Sequence, residues 1–377
     1  MIINTDCKYY LGNKPCTFHK IDKRPCENCT DYKQIKKRIL IIKLDALGDV
    51  LRTTCVLPAL SNKYPDSQIT WVTKSTALPL LKNNIYVDRV LTVESNYLEF
   101  ILNEEFDIGI CLDADNIGAS LLSVAKCKEK LGFYTNSSGQ IIPANKEAEK
   151  WYLLGLNDVL KKNNRDTYQS LIYQICLLDG EIYKPHFYFD SKNKVPGIQF
   201  RKKNSLDEYK FIVGLNTGGG SRWECKSWIR EYYIELIIKL HGVGKEIGII
   251  LFGGEKERDL IKYIRKNAKH PVIDADSYGS FDKFAEIINL TDIFMTPDSL
   301  GFHLSVALGK YTIVLVGPTS PWELDVFGNG EIIYNENLDC IACYDSVCKR
   351  DKECMKSITP DEIFNKIIKR INEAGNS

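Results

Sequence analysis

The residues most able to do chemistry follow short apolar segments that are typical of buried β-strands. One such place lies in "ILIIKLDALGDVLRTT", residues 39–54, where Asp49 comes soon after the apolar segment Ile39–Leu44. No G-x-G-x-x-G turn is present there, so a dinucleotide site is not indicated. The Asp49 carboxylate could cap the following helix, or it could act as a general base that removes a proton from an acceptor hydroxyl. In the second role Asp49 is a candidate catalytic residue.

A glycine-rich segment with basic residues, "NTGGGSRWECKSW", follows the predicted strand Phe211–Leu215. Glycine lets backbone N–H groups approach an anion closely, and Lys226 could neutralise a diphosphate. A surface turn with unrelated charges is the alternative interpretation. Lys226 is a second catalytic candidate, and the candidate anion-binding residues are Gly219, Gly220, Ser221 and Arg222.

Three more polar segments each follow a predicted strand: "GGEKE" from residue 253, "TPDSLGFHLSVALGK" from residue 296 and "GPTSP" from residue 317. Their carboxylates could accept hydrogen bonds from sugar hydroxyls, and the helix that starts after Asp298 could receive a phosphate. Three such strand ends in one half of the chain indicate one ligand site. Its candidate residues are Glu255, Glu257, Asp298, Ser299, Gly301, His303 and Thr319.

Alternating strands and helices must position these segments. Predicted strands such as Ile39–Leu44 and Gly248–Phe252 alternate with amphipathic helical stretches such as Ala77–Asn84 and Ser120–Glu129. This alternation predicts an α/β fold of two Rossmann-like, doubly wound domains that face a shared cleft. Residues 190–209 are polar and without a clear period, which is typical of a linker. The expected boundaries are 1–36 for a cysteine-rich arm, 37–190 and 191–357 for the two domains, and 358–377 for a C-terminal helix.

The composition is that of a soluble protein. Of the 377 residues 44% are hydrophobic and 26% are charged, with a net charge of +1, so no general attraction to nucleic acid is expected. No apolar run approaches the roughly 20 residues of a membrane span, and no signal peptide is apparent. We therefore expect a cytoplasmic protein. Residues 1–38 carry nine Lys or Arg against four Asp or Glu, which indicates either a solvated arm or a contact to an anionic acceptor or membrane surface.

Eight of the thirteen cysteines form two clusters near the ends of the chain. The C-terminal cluster could enclose one tetrahedral metal ion, and zinc and iron both suit four thiolates. It consists of Cys340, Cys343, Cys348 and Cys354. The N-terminal cluster is looser, has His19 within it, and consists of Cys7, Cys16, Cys26 and Cys29. Free thiols or a disulfide are the alternative for each cluster, and the scattered cysteines, Cys225 among them, are expected to be mostly small buried side chains.

In this order and spacing, the segments resemble those of the heptosyltransferases of glycosyltransferase family 9. The resemblance covers about residues 37–360 and rests on "ILIIKLDALGDVLRTTCVLPAL", "GGGSRWECKSW", "FGGEKE", "DSLGFHLSVALGK" and "GPTSP". The C-terminal cysteines and "SITPDEIF" are similar to those of many family members, including protein heptosyltransferases that carry a metal finger. The resemblance implies a GT-B fold with an acceptor-binding first domain and a nucleotide-sugar-binding second domain.

The resemblance also implies an activity: inverting transfer of heptose from ADP-heptose to a lipopolysaccharide core or another surface glycan, without a catalytic cofactor. Asp49 matches the family's catalytic base, and Lys226 matches the lysine near the donor diphosphate. Glu257 fits the G-G-x-x-E pattern better than Glu255. The D-T-G-x-x-H element differs here, because Leu300 stands in place of glycine and Gly301 follows one position later. A protein Ser or Thr acceptor and a non-catalytic nucleotide-sugar-binding protein are the alternatives.

Overall fold

The computed structural model describes residues 2–12, 14–95, 97–190, 195–219, 224–244, 246–345 and 347–375. The chain divides into two compact units. Unit 1 comprises Met1–Lys161 and Tyr168–Tyr188, and unit 2 comprises Lys162–Thr167 and Phe189–Ser377. No helix among the described residues combines the length and the apolar character needed to cross a membrane.

Unit 1 contains a six-stranded sheet with helices between the strands. The strands are β1 (Lys37–Ile42), β2 (Ser67–Thr73), β3 (Arg89–Thr92), β4 (Glu105–Cys111), β5 (Lys126–Thr135) and β6 (Ile141–Pro143). The helices are α1 (Thr17–Asp22), α2 (Leu47–Thr53), α3 (Val56–Lys63), α4 (Leu78–Leu81), α5 (Tyr97–Asn103), α6 (Asn116–Val124), α7 (Ala148–Leu156), α8 (Asp158–Asn163) and α9 (Tyr168–Ile175). The sheet order is β3-β2-β1-β4-β5-β6, with β6 antiparallel to β5 and the other pairs parallel.

Unit 2 repeats this plan. Its strands are β7 (Phe211–Asn216), β8 (Ile247–Phe252), β9 (Ile273–Asp274), β10 (Ile293–Pro297), β11 (Tyr311–Leu315) and β12 (Gly330–Ile333). Its helices are α10 (Val195–Lys203), α11 (Arg230–Val243), α12 (Arg258–Ala268), α13 (Phe281–Ile288), α14 (Leu300–Ala307), α15 (Glu353–Ser357) and α16 (Pro360–Gly375). All pairs are parallel in the order β12-β11-β10-β7-β8-β9.

Both sheets therefore have the same doubly wound strand order, in which the winding reverses beside the first strand. The reversal falls between β1 and β4 in unit 1 and between β7 and β10 in unit 2. Ligands of open α/β sheets bind beyond the carboxyl ends of the strands at such a reversal. In β1, Ile39–Ile42 is completely buried, as expected for a parallel strand covered on both faces. The predicted α/β fold of two Rossmann-like domains is confirmed.

Some local predictions were wrong. The stretch Ser120–Glu129 is not one helix, because α6 starts earlier, where Asp115 caps the N–H groups of its first turn, and Lys126 already belongs to β5. The charged start of β5, "KCKEK", hides the strand pattern. Residues 190–209 are not simply a linker either, since they include α10, whose Gly197 N–H donates to the Glu286 carboxylate.

Candidate active site

Asp49 lies in the first turn of α2, shortly after the carboxyl end of β1. Its Oδ1 is 2.7 Å from Nη2 of Arg52, and its Oδ2 accepts a hydrogen bond from the Ala46 backbone N–H at 3.3 Å. The Asp49 side chain is 34% exposed. The carboxylate therefore helps to cap the helix start and is still accessible to a substrate.

Residues that the sequence did not single out hold this turn in place. The guanidinium carbon of Arg52 lies 3.6 Å from the centre of the Tyr168 ring. The Tyr168 hydroxyl is 2.6 Å from Oγ1 of Thr53, which in turn donates to the Asp49 carbonyl at 2.6 Å. Helix α9, which carries Tyr168, thus orients the first turn of α2. The three-residue spacing of Asp49 and Arg52 was the only local signal of this arrangement.

A buried ion pair lies at the strand reversal of unit 1. Lys43 follows β1 and Asp113 follows β4, and their side chains pair with exposed fractions of only 7% and 5%. Asp113 also accepts the backbone N–H of Leu44. Burial alone would lower the pKa of Lys43, but the neighbouring Tyr168, Asp113 and Asp49 outweigh it and hold that pKa above its ordinary value. The lysine therefore stays charged, and the pair joins the two strand ends.

The corresponding place in unit 2 also holds a lysine–aspartate pair, formed by Lys226 and Asp298. The Lys226 Nζ is 2.7 Å from Oδ2 of Asp298, and it donates to the Asp298 carbonyl at 3.3 Å. The Thr319 hydroxyl donates to the same Oδ2 at 2.9 Å. Burial would raise the pKa of Asp298, but the charges of Lys226 and His303 and these hydrogen bonds lower it to about 2. The glycine-rich segment, the segment from residue 296 and the segment from residue 317 thus meet at this carboxylate.

The low pKa of Asp298 predicts a pH-dependent contribution to stability. A carboxyl group whose pKa falls from 3.8 to about 2 on folding contributes about 2 kcal/mol to the free energy of unfolding at neutral pH. That contribution is complete above about pH 5 and is lost as the pH falls toward 2. Asp298→Asn is expected to lower the unfolding free energy at pH 7, with a difference from wild type that shrinks on acidification.

Urea unfolding between pH 3 and 7 measures this difference. The control is Asp259→Asn, because the Asp259 side chain is 94% exposed and its replacement should have little effect at any pH. A difference for Asp298→Asn that stays constant or grows toward pH 3 would contradict the assignment.

The start of α14 packs against the end of β7. The side-chain amide of Asn216 donates to Oγ1 of Thr296 at 2.9 Å and to Oγ of Ser299 at 3.3 Å. A Cβ atom on Gly301 would lie only 2.8 Å from Nδ2 of Asn216, so glycine is needed at this position. Asn216 is the first residue of the glycine-rich segment, but the sequence did not single it out, because an uncharged amide at a strand end gives no sign of its long-range contacts.

The two candidate glutamates have different surroundings. Glu255 is 68% exposed and pairs with Arg258 at 2.8 Å. Oε2 of Glu257 accepts the Gly254 N–H at 2.8 Å, and a Cβ atom on Gly218 would lie 3.5 Å from it. Glu257 therefore lies beside the end of β7, whereas Glu255 points to solvent.

The glycine-rich segment is described only in part. A Cβ atom on Gly219 would lie 3.1 Å from Cβ of Lys226, so the start of the segment lies against the lysine. The predicted anion-binding residues Gly220, Ser221 and Arg222 lie outside the described residues.

The C-terminal cysteines surround one cavity of about 220 Å³. The Cys348 Sγ accepts backbone N–H bonds from Arg350 at 3.4 Å and Lys352 at 3.2 Å. Burial raises the pKa of the Cys354 thiol to about 11, and the neighbouring cluster cysteines add to the effect. Cys225 also lines this cavity. It is buried, as expected for the scattered cysteines, but the sequence did not place it beside the C-terminal cluster. The thiols around the cavity belong to Cys225, Cys340, Cys343, Cys348 and Cys354.

The N-terminal cysteines line a second cavity, of about 550 Å³, together with His19. Nδ1 of His19 is 2.8 Å from the Arg24 carbonyl, and its backbone N–H donates to Sγ of Cys16 at 3.5 Å. No described residue from 2 to 38 is buried, so this arm folds without an apolar core. All thirteen cysteines are free thiols, and within the described ranges no three His, Cys, Asp or Glu side chains form a group that could hold a metal ion.

Two doubly wound units are the architecture of GT-B glycosyltransferases, and solved heptosyltransferase structures share it. The chain belongs to glycosyltransferase family 9 (heptosyltransferase), whose pattern matches residues 98–353. That range contains Lys226, Asp298 and the donor-site candidates of unit 2, and it begins after Asp49.

Individual proteins and solved structures are also similar to this chain. The lipooligosaccharide heptosyltransferase 2 of Haemophilus ducreyi is 24% identical over 302 residues, which are 75% of this chain and 84% of that protein. The structure of E. coli ADP-heptose LPS heptosyltransferase II has a TM-score of 0.66 at 18% identity, covering 90% of this chain and 99% of the other. The iron-containing dodecameric glycosyltransferase TibC of enterotoxigenic E. coli has a TM-score of 0.51 at 12% identity, covering 90% and 77%. These structural likenesses support the fold.

Proposed function

We propose that this glycosyltransferase moves a heptose from ADP-heptose to a hydroxyl group of a lipopolysaccharide core or another surface glycan. The observation that carries the proposal is the Lys226–Asp298 pair with Thr319, at the strand reversal of unit 2, in a chain of family 9. Similarity to a lipooligosaccharide heptosyltransferase and to an ADP-heptose LPS heptosyltransferase supports this donor and this class of acceptor.

Unit 2 would bind the nucleotide sugar. Negative charge develops on the diphosphate as its bond to the anomeric carbon breaks, and Lys226 is the proposed group that stabilises it. Backbone N–H groups of the glycine-rich turn and of the start of α14, near Ser299, would add hydrogen bonds. The remaining proposed donor contacts are Gly219, Gly220, Ser221, Arg222, Glu255 or Glu257, Asp298, Gly301, His303 and Thr319.

Asp49 would be the general base of the reaction. It takes the proton from the acceptor hydroxyl as that oxygen attacks the anomeric carbon, and the bond from that carbon to the diphosphate breaks on the opposite face. The product is a glycoside of inverted configuration, with ADP as the leaving group. Arg52 and the Ala46 N–H hold the two carboxylate oxygens of Asp49, so its orientation is fixed before an acceptor binds.

Turnover of purified protein tests the proposal. ADP release from ADP-heptose is measured without acceptor, with heptose-deficient lipopolysaccharide, and with protein acceptors. Release that requires the lipopolysaccharide would support the proposal. Release only with a protein would establish transfer to Ser or Thr. Binding of ADP-heptose without release in any condition would favour a non-catalytic nucleotide-sugar-binding protein, and no binding would remove the donor assignment.

Glu257 and Glu255 offer a matched pair of variants. Glu257→Gln is expected to weaken ADP-heptose binding by about tenfold, because a hydrogen bond to a charged acceptor is weakened. Glu255→Gln should leave binding unchanged, since Glu255 points to solvent and pairs with Arg258. Calorimetric titration without acceptor measures both affinities, and equal effects of the two changes would contradict the assignment of Glu257.

The division of labour between the domains is also proposed. Residues 37–190 would bind the acceptor and residues 191–357 the donor, with 1–36 as an arm and 358–377 as a C-terminal helix.

We further propose a cytoplasmic protein that makes peripheral contact with the membrane surface. The nine Lys or Arg residues of the first 38 and the exposed Leu156 and Val159, 67% and 68% accessible, support such a contact. No role for nucleic acid is proposed.

Structural metal ions are proposed at both cysteine clusters. The chemistry of the side chains suits zinc or iron, because four or more cysteines line each cavity and thiolates are ligands for both metals, although the described cysteines are not grouped closely enough to hold an ion without rearrangement. A metal cross-link would stabilise the arm in particular, because none of its described side chains is fully buried and apolar packing contributes little there. TibC is described as iron-containing, which supports iron as one candidate. Bound by four protein ligands, such an ion would stabilise the local fold and leave no coordination position for a substrate.

A further inference from the structure

Six residues in the middle of the chain belong to unit 2, although unit 1 precedes and follows them in the sequence. They are Lys162–Thr167, which overlap the end of α8 and stop directly before α9, and we call them the crossing segment. The Lys162 Nζ donates to the Asp339 carbonyl at 2.6 Å, across 177 positions of the chain. The crossing segment is therefore attached to a distant part of unit 2.

Arg165 makes the second attachment of the crossing segment. Its guanidinium carbon lies 3.6 Å from the centre of the Trp322 ring, well within the range of a cation–π contact. Nη1 of the same guanidinium donates to the carbonyls of Lys162 at 3.0 Å and Asn164 at 2.9 Å. The guanidinium is thus held at its edge by the crossing segment while its face covers the indole ring.

Trp322 ends the loop that reaches the Asp298 carboxylate. The loop is "GPTSPW", residues 317–322, and its Thr319 hydroxyl donates to Oδ2 of Asp298 at 2.9 Å. The same oxygen pairs with Lys226 at 2.7 Å. A shift of this loop therefore changes both the carboxylate of the lysine–aspartate pair and the ring on which the crossing segment rests.

At its other end the crossing segment runs directly into Tyr168, which orients the turn of Asp49. Only two residues separate Arg165 from Tyr168. The buried Asn164 stiffens this connection, because its Nδ2 donates to the Asp166 carbonyl at 2.9 Å and its Oδ1 accepts the Asp166 N–H at 3.3 Å. A short and internally hydrogen-bonded connection has little freedom to absorb a displacement of Arg165.

We propose that Arg165 is a positioning residue for the reaction. By stacking on Trp322 it fixes the Thr319 loop for donor binding. Through the crossing segment it also links the state of that loop to the orientation of Asp49. The inference rests on the donor site and the general base of the proposed function. Because such a coupling is reciprocal, a nucleotide that orders the loop also orders the turn of the base.

Hydrogen exchange of the full chain without nucleotide tests the two attachments. Arg165→Ala is expected to speed amide exchange about three- to fivefold in peptides that cover residues 317–322 and 47–53, because one exposed cation–π contact is lost. Arg165→Lys keeps a cation over the ring and should restore part of the protection. Arg201→Ala is the control, since Arg201 is 52% exposed on α10 and pairs with Asp207.

The pattern of exchange decides between the parts of the proposal. Unchanged exchange in residues 317–322 of Arg165→Ala would overturn the role of the stack. Faster exchange there, with residues 47–53 unchanged, would overturn the link to the turn of Asp49. An equal effect of Arg201→Ala would show that loss of any surface arginine has this result, and would overturn both parts.

A double-mutant cycle tests the consequence for the reaction. Arg165→Ala and Trp322→Leu are each expected to weaken ADP binding and to lower kcat by about three- to fivefold. The double variant should lose little more than either single variant, because both changes remove the same contact. Additive losses would overturn the role of the stack, and weaker ADP binding with an unchanged kcat would overturn the link to Asp49. If wild-type protein neither binds ADP nor turns over, the proposed function fails, whereas hydrogen exchange of the free protein still decides whether Arg165 holds the loop.

Discussion

Replacement of Asp49 by asparagine is expected to lower kcat by about 10²–10⁴-fold, the usual contribution of a general base. The amide keeps the size of the carboxylate and can still accept the Ala46 N–H, but it cannot take a proton from an acceptor hydroxyl. Affinity for ADP should change little, because the proposed nucleotide contacts all belong to unit 2. Steady-state release of ADP gives kcat, and calorimetry gives the affinity.

Asp45→Asn is the matched control for this change. Asp45 lies four residues before Asp49, in the loop that precedes α2, is 48% exposed and pairs with Lys74, so it is a nearby carboxylate without a proposed role. Its replacement should leave kcat within about twofold of wild type, as surface changes of this kind have small energetic effects. Near-normal turnover by Asp49→Asn, or an equal loss in both variants, would remove Asp49 as the base.

Lys226→Met is expected to lower kcat/KM by about 10²–10³-fold, because one charged group that stabilises the leaving diphosphate is lost. ADP affinity should fall as well, since the diphosphate carries its charge before and after transfer. The substitution also leaves the Asp298 carboxylate, only 14% exposed, without its cation, so the variant should be less stable. Turnover, ADP binding and urea unfolding measure the three effects.

A double variant separates catalysis from stability. Lys226→Met combined with Asp298→Asn has no uncompensated carboxylate and should regain part of the lost stability, yet its turnover should remain low. Lys262→Met is the control, because Lys262 is 67% exposed and contacts only Asp259 among the described ion pairs. Recovery of turnover in the double variant would show that Lys226 serves the fold and not the diphosphate.

The fold could be predicted largely because its parallel strands are apolar on both faces. Segments such as Ile39–Ile42 and Ile247–Phe252 are fully buried or nearly so, and they stand out in any sequence. Strand β5 did not, because its first half is charged and lies toward the edge of the sheet, where only part of the strand is buried. A hydrophobic pattern in the sequence reflects burial of side chains, so a strand with few buried side chains is not recognised by that pattern.

The candidate site could be predicted where a charged side chain follows a strand end, as for Asp49, Lys226 and Asp298. Contacts between residues that are far apart in the chain could not be predicted. Lys43 and Asp113 are 70 residues apart, and no local spacing marks them as partners. The same holds for Cys225, which meets the C-terminal cysteines only because the sheet of unit 2 brings their loops together. Glu255 and Glu257 were distinguished by solvent exposure, a property that two neighbouring residues of one type do not reveal.

The repeated strand order has a consequence for how the two lysine–aspartate pairs respond to a ligand. In unit 1 the Lys43 and Asp113 side chains are only 7% and 5% exposed, so the pair is poorly accessible to a ligand from solvent. In unit 2 the Lys226–Asp298 pair keeps 14% of each side chain accessible, and a third donor, Thr319, already holds the carboxylate. In the proposed function, Lys226 would turn toward the donor phosphate while Asp298 keeps its hydrogen bond from Thr319. The Lys43–Asp113 pair would thus serve the fold alone, whereas the Lys226–Asp298 pair would also take part in nucleotide binding.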